Sequence, residues 1–320
     1  MKRITALFLL FSLCVASQVY AQGYTISVNQ FVEHPALDAV LAGMQDYMKD
    51  NSMDVEFKVH NAQANMPTAN QIAQQMIGEK SDLLVAIATP SAQACAQALK
   101  KAPTDLQRPF VFTAVTDPVS AGLVKDLQNP GGNITGVSDL LPVRKHLEMV
   151  LQYKPDIKKL GVMYNAGEAN SKATVETIKA LSGDMGFQVI EATAAKTADV
   201  YQAAKSLIGR TDAVFIPTDN TIISALESVL KIGVQYKLPI FAADIDSVER
   251  GAVAAMGFDY YSHGYQTGAM IEKILKGASP GELPVEFQEE LQLQINARYS
   301  RLMGLEPPQA LLDKAAKVYK

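Results

Sequence analysis

The sequence predicts an α/β protein of two doubly wound parallel-sheet lobes joined by a hinge. Short, continuously apolar strands alternate with amphipathic helices, the pattern of parallel sheets covered on both faces. The alternation runs in two successive series, separated only by a short join near Gly136–Pro142. Setting aside residues 1–21 leaves 299 of the 320 residues, a length that ordinarily divides into two domains.

The first series opens with a strand over Thr25–Val32. Pro35 suits the first turn of the helix that follows, in which Leu37, Val40, Leu41, Met44, Tyr47 and Met48 recur at helical spacing. Val55–His60 is the second strand. Thr68 and Gln71 offer a capping box for a helix to about Ile77. Leu83–Ala88 is a third, wholly apolar strand, and Thr89-Pro90-Ser91 cap a helix to about Lys101. Phe110–Val115 is the fourth strand. After the Asn129-Pro130-Gly131-Gly132 turn, Asn133–Ser138 reads as a fifth strand or a crossover.

A helix around Arg144–Tyr153 precedes the second series. Its strands are Leu160–Tyr164, Phe187–Glu191, Ala213–Pro217, Pro239–Ala243 and Ala252–Met256. The helices between them carry apolar faces such as Val175, Ile178 and Leu181, or Leu226, Val229 and Leu230. The N-terminal lobe is thus expected over 22–140 and the C-terminal lobe over 141–258.

Residues 1–21 have the pattern of a secretory signal peptide. Lys2 and Arg3 are followed by an apolar run, Ile4–Leu13, broken only by Thr5. That run is short of the roughly 20 residues a membrane helix needs. Cleavage is expected after Ala21, and Phe11-Ser12-Leu13 before Cys14 is a poor match to a lipid-anchor motif. Export places the chain in the periplasm. Loss of Lys2 and Arg3 leaves 27 basic against 33 acidic side chains, which argues against a nucleic-acid partner. Cys95 then stands alone, on a helix face with Ala94, Ala98 and Leu99, and reads as a buried, inert thiol.

In open parallel sheets, ligands bind outside the carboxyl ends of the strands. The candidate stretches are Gln30 to Glu33, Thr89 to Ser91, Thr113 to Asp117, Asn165 to Ser171, Thr218 to Asn220 and Asp244 to Ser247. Several of these belong to longer motifs: Phe31-Val32-Glu33-His34-Pro35-Ala36-Leu37-Asp38, Ala86-Ile87-Ala88-Thr89-Pro90-Ser91-Ala92-Gln93 and Phe112-Thr113-Ala114-Val115-Thr116-Asp117-Pro118. Thr135-Gly136-Val137-Ser138-Asp139, Pro217-Thr218-Asp219-Asn220-Thr221 and Asp259-Tyr260-Tyr261 continue the series.

Together these motifs resemble the ABC-transporter substrate-binding family whose better-known members take up tryptophan, tyrosine or phenylalanine. The resemblance spans nearly all of the chain after residue 21. It implies a type I periplasmic-binding fold with a ligand between the lobes. It implies three crossovers, near Asp117–Pro142, Phe258–Ser262 and Pro284–Asn296. A segment near 259–283 would then return to the first lobe, and one near 284–320 to the second. It also implies a membrane permease with its cytoplasmic ATPase as partners, and a periplasmic protein that delivers a free amino acid to them by hinge closure.

A free amino acid presents a carboxylate, an ammonium and a side chain. Thr89 and Ser91, at a helix N-terminus that favours anions, are assigned to the carboxylate with Thr116. Thr89 also suits a simple helix cap. Asp219 is assigned to the ammonium, with Asp244 and Glu33 as alternatives and Asn220 beside it. Phe31 is placed to stack on an aromatic side chain, with Tyr164 opposite; both also suit core packing. Tyr260 and Tyr261 read first as hinge packing. Gln30, Thr113, Ala114 and Asn165 complete the strand-end set, and Ser138 and Asp139 could line the cleft floor or bond the local backbone.

Enzymatic motifs are missing. The four histidines, His34, His60, His146 and His263, do not pair at zinc-site spacing and read as surface or capping groups. There is no nucleophile elbow, dinucleotide fingerprint or phosphate-binding loop. No cofactor and no metal are expected. A periplasmic hydrolase is a poor second class, and an export signal where a helix-turn-helix would stand removes a transcription-factor effector. A sensor feeding a membrane receptor would use the same binding physics.

Overall fold

The computed structural model describes residues 23–320. The signal-peptide reading, its cleavage after Ala21 and the anchor question at Cys14 lie outside the described residues. Among the described residues no helix is long and apolar enough to cross a membrane.

The first series folds as β1 (Tyr24–Gln30), α1 (Pro35–Asp50), β2 (Val55–Asn61), α2 (Met66–Gly78), β3 (Leu83–Ile87), α3 (Thr89–Lys101), β4 (Phe110–Thr113) and β5 (Ile134–Ser138). Asn133–Ser138 resolves as a strand, parallel to β4. Two caps differ from expectation. Helix α2 starts earlier than the Thr68–Gln71 pattern suggests, because Asn65 Oδ1 accepts the Thr68 N–H. Thr89 does not cap α3; it is the first helical residue, and the cap position is Ala88 at φ 79° with no side-chain bond.

The second series is α4 (Val143–Tyr153), β6 (Lys159–Tyr164), α5 (Ala169–Ser182), β7 (Gln188–Thr193), α6 (Val200–Lys205), β8 (Ala213–Ile216), α7 (Asn220–Ser224), α8 (Leu226–Tyr236), β9 (Ile240–Ala242), α9 (Asp246–Arg250) and β10 (Ala254–Gly257). The chain ends with α10 (Tyr260–Leu275), β11 (Glu286–Phe287), β12 (Gln292–Asn296), α11 (Ala297–Leu302), α12 (Gln309–Leu312) and β13 (Lys317–Tyr319).

The first sheet has the order β11-β5-β4-β3-β1-β2 and the second β7-β6-β8-β9, with every pair parallel. The fifth expected strand of the second series departs from this. β10 pairs antiparallel with β12, which pairs parallel with β13. The Val253 N–H donates to Ile240 O, laying this small sheet along β9. Of the final segment, β11 first joins the first sheet beside β5, and only from β12 does the chain run with the second lobe.

α10 returns to the first lobe and packs on α1. The approach is close because of glycine: a Cβ on Gly264 would lie 2.0 Å from Val40 O, and one on Gly43 2.1 Å from Tyr261 O. Phe110 and Phe112 fill the first core, Phe215 and Phe241 the second. Three histidines read as surface or capping groups are instead buried: His34, His146 and His263. Burial pushes the His146 imidazole down to about 4 and that of His263 to about 3, so both are neutral at pH 7. Cys95 is buried and free, and burial pushes its thiol up to about 12.

Candidate functional site

Each main sheet reverses its strand order once, between β1 and β3 and between β6 and β8. Loops at the carboxyl ends of strands of both sheets meet across the lobes. Thr116, beyond β4, and Thr218, beyond β8, stand 3.2 Å apart at their hydroxyls. Beside them lies a narrow cavity of about 30 Å³, lined by His34, Ala36, Leu37, Thr218, Asp219, Asn220, Ile223, Asp244 and Tyr260. A wider groove of about 430 Å³ on α8, lined by Leu230, Val234 and Tyr299, involves only the second lobe.

One corner of the cavity is the buried carboxylate of Asp219, with a second buried carboxylate, Glu168, behind it on Asn220 and Thr221. Asp219 is 2 % exposed and Glu168 3 %. Asp219 caps α7 by accepting the Ile222 N–H on Oδ1. Its Oδ2 accepts from Asn165 N and Ser171 Oγ, both at 2.6 Å. Glu168 Oε1 accepts from Thr221 N and Oγ1, and Oε2 from Asn220 N and Nδ2. The two acids therefore divide the first N–H groups of α7 between them. Burial, and then the charge of Glu168, push the Asp219 carboxyl up. Among the described residues neither acid has a Lys or Arg partner. Such a corner favours a cation.

The opposite wall comes from the first lobe. His34 is 9 % exposed. Burial and the charge of Arg250 push it down to about 4, and its Nδ1 has no hydrogen-bond partner. The floor is the hinge. Tyr260 donates to Asp139 Oδ2 and Thr116 to Asp139 Oδ1. Burial pushes the Asp139 carboxyl up to about 6. Asp244 is also pushed up by burial and accepts both the N–H and the hydroxyl of Ser247, at the start of α9.

Of the residues expected from sequence, Asp219, Asn220 and Asp244 line the cavity. Asn165 braces Asp219 and Thr221; Thr116, Ser138 and Asp139 join at the hinge, with Ser138 Oγ donating to Thr116 O. The others are placed elsewhere. Ser91 is turned away: its hydroxyl donates to Asn29 Oδ1 at 2.9 Å, under the sheet end. Thr89 Oγ1 is buried without a partner but is not in the lining. Thr113 bonds Thr267, and the Ala114 N–H donates to His263 on α10. Gln30 donates to Val32 O and Asp38. Phe31 is core, Tyr164 donates to Glu191 on β7, and Glu33 is exposed.

Sequence reasoning passed over Glu168, His34, Ala36, Leu37, Thr218, Ile223 and, as a wall, Tyr260. Glu168 and Thr218 do lie in the strand-end stretches. Ser91 answers Asn29, which alternates with Ile26 and Val28 in a strand buried from Ile26 onward and so needs a buried partner.

The chain matches the model of the family described as ABC transporter substrate binding protein over residues 25–319. It is 40 % identical over 275 residues to a tyrosine-binding protein of Clostridioides difficile, covering 85 % of this chain and 78 % of that one. It superposes with a TM-score of 0.87 on an ABC domain of Streptococcus pneumonia in complex with L-Trp, at 34 % identity, over 93 % of this chain and all of that one. On a ligand-free, open substrate-binding protein from Clostridium difficile the TM-score is 0.67, at 38 % identity, over 93 % of this chain and 99 % of that one.

Proposed function

Because this chain belongs to the ABC-transporter substrate-binding protein family, a family of binding proteins rather than enzymes, we propose that it captures a free amino acid with an aromatic side chain between its lobes and delivers it to a permease. The fold is that of the type I periplasmic binding proteins, and the family works on small molecules with a membrane transporter. The amino-acid ligand, the periplasmic setting and the closing motion are our reading.

One observation carries it. Asp219 is buried in the wall of a cavity that both lobes line, Glu168 is buried behind it on Asn220 and Thr221, and no basic side chain of the described residues pairs with either. A ligand ammonium supplies the missing charge. The Tyr260 ring, with Leu37 and Ile223, supplies apolar walls for an aromatic side chain. Thr89 Oγ1, unpartnered at the N-terminus of α3, is the group best suited to the ligand carboxylate. The cavity of about 30 Å³ is too small for an amino acid, so on this reading the ligand-bound lobes close to a slightly wider spacing than here, with the site extended toward Thr89. The Thr116–Thr218 contact and the better superposition on the L-Trp complex than on the open protein support a closed arrangement of the lobes. Closing on a ligand that touches both lobes is then a population shift.

The test is a thermal-shift screen of the twenty amino acids. Tyrosine, tryptophan or phenylalanine should raise Tm by mass action. No rise with any of the three would refute the aromatic reading.

A further inference from the structure

Glu168 sits at the edge of the proposed ammonium corner, and its role there rests on that reading. Its carboxylate ties the β6–α5 loop to the start of α7 through Asn220 and Thr221, and Asn170 Nδ2 also donates to it, at 3.2 Å. Asp219 holds the same two segments through Asn165, Ser171 and Ile222. Two acids thus share one buried turn. Every donor they receive is neutral, so nothing in the corner cancels the second charge.

We infer that Glu168 is a positioning residue that makes ligand capture release a proton. With two buried acids on neutral donors, the empty-handed pair holds one proton. An arriving ammonium supplies the positive charge in its place, and the proton leaves to solvent. The raised Asp219 carboxyl agrees with this geometry.

The other titratable groups around the pair do not replace this source. His34, Asp244 and Tyr260 share the cavity. His34 is held neutral at pH 7, and Tyr260 is raised well above 10 by burial and by Asp139. Arg250 is engaged with Glu227. Lys172 on α5, Lys196 and Asp199 beside α7, Arg144, Lys145 and Glu148 on α4, and Lys100 and Lys101 on α3 are exposed. Asp244 is the remaining contributor, and a Glu168 variant separates the two.

The experiment is calorimetric titration of the protein with L-tyrosine, then L-tryptophan and L-phenylalanine, at pH 7 in phosphate and in Tris. The dependence of the observed heat on buffer ionisation should report release of roughly one proton per ligand. Glu168→Gln, which keeps an acceptor for Thr221 or Asn220, should bring that release near zero, with binding weakened about threefold to tenfold but still measurable as heat. Binding by the natural protein without buffer dependence, or unchanged release in Glu168→Gln, would overturn the inference. If that variant does not fold by circular dichroism, Asp219→Asn makes the same test and should release none. No heat with any of the three amino acids in the natural protein would instead bring down the ligand reading, and this inference with it.

Discussion

The hydroxyls of Thr116 and Thr218 face each other at 3.2 Å, one from each lobe. Thr116 is also bonded to Asp139, so on the proposed closing motion the contact links the two lobes to the crossover between them. A neutral hydrogen bond is worth about 0.5–1.5 kcal/mol net. Thr218→Val should therefore shift the unliganded protein toward the open form by roughly two- to tenfold. Small-angle scattering should show a larger radius of gyration than the natural protein without ligand, and the two should agree at ligand saturation. Identical unliganded radii would remove this contact from the closing motion.

Asp139 gives a pH-dependent prediction. Burial raises its carboxyl to about 6, against the bonds from Thr116 and Tyr260. An acid raised on folding holds more protons folded than unfolded between its two values. Its contribution to stability is therefore full below the unfolded value near 4 and is lost as pH rises to about 6. Asp139→Asn suffers no such loss. Relative to the natural protein its Tm should rise between pH 4.5 and 7.5, by several degrees, with a ceiling of about 3 kcal/mol. A Tm difference independent of pH would contradict the assignment.

The α1–α10 contact predicts a purely structural variant. A Cβ on Gly264 would sit 2.0 Å from the Val40 carbonyl, backbone that cannot yield as a side chain can. Gly264→Ala should cost at least about 1–3 kcal/mol, with a lower denaturant midpoint and ligand affinity within about twofold in the folded fraction. An unchanged midpoint would show that the helices separate freely.

Cys95 should be unreactive. Its thiol is 1 % exposed, held above the usual range by burial, and touched by Asn29 Nδ2. Labelling by a thiol reagent should proceed at the rate of unfolding in native buffer and at once in denaturant. Rapid native labelling would show that the first lobe opens locally.

Most of the fold was legible because apolar runs in parallel strands need no knowledge of distant residues. Leu83–Ile87 and Ala213–Ile216 are apolar throughout and lie inside their sheets. The antiparallel β10–β12 pair was not legible: Ala254 faces Ile295, and nothing local to 254 marks an antiparallel partner so far along the chain. Capping was only half legible, since Asn65 competes with Thr68 three residues away and wins the bond.

For the candidate site, topology pointed to several of the loops that line the cavity but not to side-chain directions. Asp219, expected at a strand end, does line the cavity, because an acid there caps the next helix beside the strand ends. The Ser91 hydroxyl, by contrast, is taken up by Asn29, 62 residues earlier. Glu168 was passed over because its partners, Asn220 and Thr221, lie 52 and 53 residues later. A single strand end cannot disclose such pairings.

Asp219 decides the central claim. Replacing it by Ala removes the cap of α7, worth about 0.5–2 kcal/mol, together with the charge facing the cavity. Calorimetric titration of the folded Asp219→Ala protein with the aromatic amino acid that binds the natural protein should show affinity lowered about tenfold to a hundredfold. Equal affinity in the two proteins would mean that the ligand is held somewhere other than between these lobes.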